Sequence, residues 1–225
     1  MRRINTPELL DTDDCPPEEV AISLRDMARV NRWFGGVSTT VELIRRVAEV
    51  TGTNRLSLLE VAAGLGELPK IAAHKLAQEN VAIDVTLLDR AVNHLPIRSR
   101  AVAADALAMP FSDNAFDLIS CNLFAHHLEP EQLLLFAKEA LRVSRIAVLI
   151  NDLVRHPVHL AFVYAGFPLM RSRVSRLDGV ASVRRAYIPE EIQQLLSTGF
   201  ADCTIPRIEI FRAPLFRMGV IIWKT

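Results

Sequence analysis

The stretch Leu56 to Gly66, LSLLEVAAGLG, constrains this chain more than any other: a strongly apolar run ends in an acid, Glu60, and passes directly into Gly64-Leu65-Gly66. An apolar run this short, bounded by a glycine turn, reads as a strand buried on both faces. Gly64 and Gly66 carry no Cβ, so the backbone can take positive φ there and a ligand can approach it closely. Strand, acid and Gly-x-Gly opening a helix is the arrangement with which α/β proteins hold nucleotide-like ligands. The same turn also serves helices packed tightly on a sheet, so the segments that follow have to decide.

At 225 residues the chain can bury one sizeable core, and no Ser/Gly/Pro-rich linker divides it. We expect one domain over 1–225, made of an N-terminal helical cap (1–52), a ligand-binding core (53–152), an insertion covering the substrate (153–187) and a C-terminal helix with a strand hairpin (188–225). Lys plus Arg equals Asp plus Glu at 26 each, which leaves no overall field to draw the chain onto nucleic acid. The charge is unevenly spread: Glu8, Asp11, Asp13, Asp14, Glu18 and Glu19 crowd the start, while Arg155, Arg171, Arg173, Arg176, Arg184 and Arg185 read as a basic patch. Cys15, Cys121 and Cys203 are odd in number, far apart and without a C-x-x-C, so neither a disulfide framework nor a zinc site is expected and a reducing cytoplasm fits. The start lacks an apolar leader, and the run 157–170 is too short and too interrupted to span a bilayer.

Helical periodicity predicts a helix over 17–32, ending near Gly35-Gly36, and a second over 41–50 capped by Ser38-Thr39-Thr40. From Leu56 onward strands and helices alternate: strand 56–61, helix 67–79, strand 83–88, a short helix near 91–95, strand 101–103, strand 116–121, helix 130–142 and strand 145–151. That alternation predicts a parallel sheet covered on both faces. Regularity weakens after Asp152; a helix over 189–197 and two antiparallel strands, 204–211 and 216–223, finish the chain.

The second strand ends in Asp89, where a carboxylate can accept both hydroxyls of a ribose. After the third comes Ala104-Asp105-Ala106-Leu107-Ala108-Met109-Pro110-Phe111, in which Asp105 can accept from an adenine amino group between apolar neighbours. In order, LLEVAAGLG, LLDR and ADALAMPFSDNAFDLISCNLFAHHL resemble the class I S-adenosylmethionine-dependent methyltransferases, the small-molecule (type 11, UbiE-like) group among them, closely over 56–152 and more loosely over 188–223. The resemblance implies an α/β, Rossmann-like, mostly parallel sheet of seven strands in the order 3-2-1-4-5-7-6, with helices on both faces and an N-terminal helical lid. It also implies S-adenosylmethionine as cofactor, with Glu60, Ala62, Gly64 and Gly66 around its methionine moiety, Asp89 and Arg90 at the ribose and adenine edge, Asp105 and Ala106 at the adenine, and Asn122 on the sulfonium side. The chain departs from the family in carrying Ala62 where glycine is frequent and in a long gap from Glu60 to Asp89.

A base-modifying enzyme of this family would carry an Asp/Asn-Pro-Pro-aromatic run after the fourth strand, where this chain has Cys121-Asn122-Leu123-Phe124. With the zero net charge, nucleic acid is not expected as a partner. We expect a small-molecule acceptor instead, an oxygen of a phenolic, quinone-like or polyketide-like compound. Transfer from a sulfonium asks chiefly for in-line positioning and, for a hydroxyl acceptor, a proton acceptor. The candidates are His127 first and His126 second, just past the fourth strand; the same pair can instead cap and pack the next helix. His156 and His159 follow the fifth strand and can line the acceptor pocket; spaced by three without a third ligand, they make no metal site, and none is expected elsewhere.

Asn31-Arg32-Trp33-Phe34-Gly35-Gly36 places a cation and two aromatics before the sheet, so Trp33 and Phe34 are expected in the acceptor pocket and Arg32 on the methionine carboxylate. Tyr187 is a candidate pocket wall. The apolar and arginine-rich run 160–176 also suits a membrane surface. Two further readings therefore stand beside the first: a cofactor-binding module without transfer activity, and an enzyme working on a lipid acceptor at a membrane. The sequence sets no oligomeric state.

Overall fold

Seven strands form one sheet: β1 (Arg55–Val61), β2 (Ala82–Asp89), β3 (Ala101–Ala103), β4 (Phe116–Asn122), β5 (Ser144–Leu153), β6 (Ile208–Ala213) and β7 (Arg217–Trp223). Their order is β3-β2-β1-β4-β5-β7-β6, as the motif order implied. The structure, a computed structural model, describes residues 1–11, 15–92, 95–96, 100–200 and 206–224. β1 to β5 run parallel, whereas β7 enters antiparallel between β5 and β6. The short helix expected near 91–95 and the start of the strand expected at 204 fall partly outside the described residues, as does Cys203; β6 begins at Ile208.

Two cores flank the sheet because alternate strand residues point to opposite faces. On one face Leu56, Leu58, Leu118 and Leu149 pack under α2 (Gly36–Thr51) and α3 (Glu67–Gln78), through Ile44, Val47, Ala72 and Leu76. On the other, Leu59, Ile119, Val148 and Ile150 pack under α4 (Pro130–Val143) and α7 (Pro189–Gly199), through Phe136, Ala140, Ile192 and Leu196. Every one of these side chains is almost fully buried.

The N-terminal cap differs from expectation in one respect. Its first helix, α1 (Pro17–Trp33), matches, but α2 starts at Gly36, with Gly35 at φ 82 as its cap, so Thr39 and Thr40 are buried inside the helix and do not cap it. Only a left-handed residue lets the chain reverse this tightly between two helices, and glycine takes that conformation without strain. The insertion is also more regular than its sequence suggests, with α5 (Pro157–Ala165) and α6 (Arg173–Arg185) joined by a 3-10 turn at Phe167–Leu169. Its basic patch is partly internal: Arg155 and Arg185 are buried, the first on Glu191 and the carbonyls of Met1 and Ala186, the second on Asp11 and the carbonyl of His127. Tyr187 is no pocket wall either; it lies in the core and donates to the Leu128 carbonyl at 2.8 Å.

Candidate functional site

The strand register brings the motif residues to one edge. Val61 lies level with Leu88 and Cys121, Asp89 with Ala103, and Asn122 with Asn151, so the carboxyl ends of β1 to β5 form a single rim. The loop beyond β1 is held open by backbone geometry: Ala62, Gly64 and Gly66 have φ of 53, 51 and 64, so alanine takes the strained left-handed region where the family often has glycine. A Cβ on Gly66 would run into the Leu87 side chain, while one on Gly64 would meet nothing within 4 Å. The loop therefore packs tightly at its base and leaves space above Gly64.

Asp89 organises that loop. Its carboxylate accepts from the Gly64 N–H at 2.8 Å and from the Ala91 N–H at 2.9 Å, tying the end of β2 to the turn after β1. Arg90 and Asp105 are exposed beside it, Asp105 accepting from the Leu107 N–H at 2.8 Å, and Ala106 is buried beneath. Removing the Asp89 carboxylate leaves two loop N–H groups without their acceptor, about 1–3 kcal/mol in total for loop order. Asp89→Ala is accordingly expected to weaken binding of a ligand at this loop about tenfold by titration calorimetry; unchanged affinity would remove Asp89 from the site.

Glu60 is 2% exposed and accepts from Asn122 Nδ2 at 2.7 Å on Oε1, while its Oε2 has no hydrogen-bond partner. Burial is the main influence on this carboxyl and, despite the Asn122 and Ser120 hydrogen bonds, pushes its pKa up to about 7. Asn122 in turn accepts from Thr40 Oγ1 at 2.8 Å, and Asn151 Nδ2 donates to Thr40 Oγ1 at 2.9 Å and to the Gly36 carbonyl at 2.8 Å. Arg217, 1% exposed, completes the chain of contacts to Asn151 Oδ1 (3.4 Å), Asn31 Oδ1 (2.7 Å) and the Phe34 carbonyl (2.9 Å). The acid of the glycine loop and the α1–α2 corner thus share one buried polar network. The sequence carries little signal for Thr40, Asn151 and Arg217: Ser38-Thr39-Thr40 has the makeup of a cap, Arg217 lies in a C-terminal strand, and only the polar pair Asn151-Asp152 closing an apolar strand marks the network.

Beside this network a cavity of about 580 Å³ lies between α1 and the insertion, walled by Trp33, Phe34, Phe162, Met170, Leu215 and Phe216. His159 lines it, donating from Nδ1 to the Val154 carbonyl (3.1 Å), whereas His156 caps α5 by accepting from the Val158 N–H. Arg32 stands exposed in the last turn of α1, next to the buried Asn31.

The two candidate bases sit apart in environment. His126 is 2% exposed, with Nδ1 2.7 Å from Asp152 Oδ1 and Nε2 3.2 Å from Glu8 Oε1. Burial favours the neutral ring, but Asp152 and Glu8 outweigh it and push the pKa up to about 10. His127 is more open, with Nδ1 2.9 Å from Asp11 and Nε2 3.6 Å from Glu8.

Residues 58–146 match the family model for a methyltransferase domain. No curated protein matches the chain in sequence. Among solved structures, the plantazolicin methyltransferase BpumL, in complex with a triazolic desmethylPZN analog and SAH, superposes with a TM-score of 0.71 at 14% identity, over 96% of this chain and 93% of its own. The plantazolicin methyltransferase BamL gives 0.68 at 14% identity over 93% and 92%, and a SAM dependent methyltransferase from Aquifex aeolicus 0.57 at 14% over 92% and 98%. At these identities the likeness is one of fold, and it extends over nearly the whole of each chain. Residues 58–146 match a methyltransferase-domain model, and the chain as a whole shares the fold of solved S-adenosylmethionine-dependent methyltransferases.

Proposed function

We propose that the enzyme methylates a largely apolar small molecule seated between α1 and α5, on an oxygen of a phenolic, quinone-like or polyketide-like compound. The cavity of about 580 Å³ carries this reading, since its size falls in the range of small-molecule sites and its walls are aromatic and aliphatic. The exposed Trp33, Phe162 and Leu169 leave its mouth apolar. The triazolic desmethylPZN analog bound by the plantazolicin methyltransferase BpumL makes azole-containing acceptors a second class for the acceptor screen.

The residues present suit the cofactor. S-adenosylmethionine supplies an electrophilic methyl group on a sulfonium when bound. The unpartnered Oε2 of Glu60, the space above Gly64 and the loop order set by Asp89 support its methionine and ribose ends there, with Ala62, Gly66, Arg90, Asp105, Ala106 and Asn122 completing the site and Arg32 assigned to the carboxylate. Direct displacement needs the acceptor held in line, so positioning by the cavity walls is the main contribution. Of the two candidate bases, proton handling is assigned to His127, the more accessible ring, because His126 is buried and held protonated between Asp152 and Glu8.

A bulky cation in the cavity tests the acceptor assignment. Val163 lines the cavity, and Val163→Arg is expected to lower turnover of any acceptor found by a mass-spectrometric screen at least about tenfold, as ~1.4 kcal/mol of lost binding would. Cofactor affinity should stay within twofold. Full turnover by the variant would place the acceptor elsewhere. No helix among the described residues is long and apolar enough to cross a membrane.

A further inference from the structure

Glu8, His126 and His127 come together although the chain order does not announce it: one carboxylate from the N-terminal segment meets two adjacent histidines past β4, and their donor atoms all lie within 4.8 Å of one another. Each ring is backed at Nδ1 by a carboxylate, His126 by Asp152 at 2.7 Å and His127 by Asp11 at 2.9 Å. That leaves both Nε2 atoms turned toward Glu8, at 3.2 Å from Oε1 and 3.6 Å from Oε2. His126 Nε2, fully buried, makes no hydrogen bond even so.

We infer that Glu8, His126 and His127 form a binding site for a divalent transition-metal ion of the zinc class. Two donors each about 2.1 Å from a tetrahedral ion stand roughly 3.4 Å apart, and the two Nε2-to-carboxylate separations bracket that spacing. A carboxylate on the remote nitrogen is the usual support of a metal-bound imidazole, because it fixes the tautomer and points the other lone pair at the ion. Two imidazoles and one carboxylate suit zinc, cobalt or iron(II) and are poorly matched to calcium or magnesium, which prefer oxygen donors alone. Three protein donors leave a coordination position for a water or an acceptor oxygen. Glu8 also lines a cavity of about 110 Å³ that shares Asp26, His159, Met170 and Arg217 with the larger one, so the ion would sit beside the acceptor space and fasten the N-terminal segment to the strand rim. The inference stands apart from the acceptor reading, since metal binding is measured without any acceptor.

The test uses full-length, tag-free protein stripped with a chelator, titrated calorimetrically with Zn²⁺ and, separately, with Co²⁺ followed by its visible d–d absorption. The expected result is one ion per chain, with affinity falling about 10- to 100-fold in Asp152→Asn, the usual cost of losing a supporting carboxylate, and further in His127→Gln. His127 is the most exposed of the three ligands, so His127→Gln is checked for native circular dichroism before it is read. Absence of stoichiometric binding by the folded wild type, or equal affinity in folded His127→Gln, would overturn the site and leave His126 as an imidazolium between Asp152 and Glu8.

Discussion

Arg217→Leu is expected to lower unfolding stability by about 3 kcal/mol or more, the largest single effect of any substitution at this site. Arg217 is the largest fully buried side chain among the described residues, and its removal strands Asn31 Oδ1 and the Phe34 carbonyl, with the weaker contact to Asn151. Each buried acceptor left unpaired costs about 1–3 kcal/mol, and leucine supplies nothing in return but apolar bulk. Burial pushes the Arg217 pKa down to about 10 and Asp152 opposes that shift, so the group keeps its charge at neutral pH. Urea midpoints of wild type and variant measure the difference; a change under about 1 kcal/mol would mean that the α1–α2 corner is held by packing alone. Because the network continues through Asn151, Thr40 and Asn122 to Glu60, the same variant should also weaken cofactor binding, and it should do so without touching the glycine loop.

The second large effect is a pH dependence owed to Glu60. Its carboxyl binds a proton more tightly in the folded chain, with a pKa near 7 against an ordinary 4.5, because burial penalises the anion. Folding is therefore favoured by the protonated form: the contribution is fully present below pH 4.5, declines as pH rises and is spent once pH passes 7. Over that window it amounts to about 3 kcal/mol. Glu60→Gln, which keeps the shape and cannot ionise, should lose this slope, so the stability of wild type relative to the variant falls between about pH 5 and pH 8. Parallel profiles would show that Glu60 is ionised throughout. A cationic cofactor placed beside the carboxyl favours its anion, so wild-type affinity should rise over the same range and level off above it, with proton release on binding near pH 6.

Much of this was legible in the chain. The strand LSLLEV, the glycine turn and the acids Glu60 and Asp89 act locally: each lies at the end of its own apolar run, and the register of parallel strands carries strand ends to a common rim. The alternation of strand and helix fixed the two-sided sheet for the same reason. Long-range polar pairing was not legible. Nothing local distinguishes Arg217 from the solvent-facing arginines of an edge strand, and its burial follows from the antiparallel insertion of β7 between β5 and β6. Likewise Glu8 and Asp11 read as part of an acidic start, yet they close on His126 and His127 across the strand rim. Thr40 misled in the opposite sense: Ser38-Thr39-Thr40 has the makeup of a helix cap, but Gly35 turns the chain first and the threonines enter the helix. The arginines of the insertion were legible in number and not in place, since Arg155 and Arg185 are buried against the carboxylates of Glu191 and Asp11 and against backbone carbonyls.

Titration calorimetry of the wild-type protein with S-adenosylmethionine and S-adenosylhomocysteine, beside NAD as an adenine-dinucleotide control, tests the central claim most directly. Saturable binding of the first two, weakened in Asp89→Ala, with no heat from NAD, is the predicted result. Binding of NAD in their place, or no binding of either sulfur compound, would contradict the assignment of the Glu60 to Gly66 loop as a methyl-donor site.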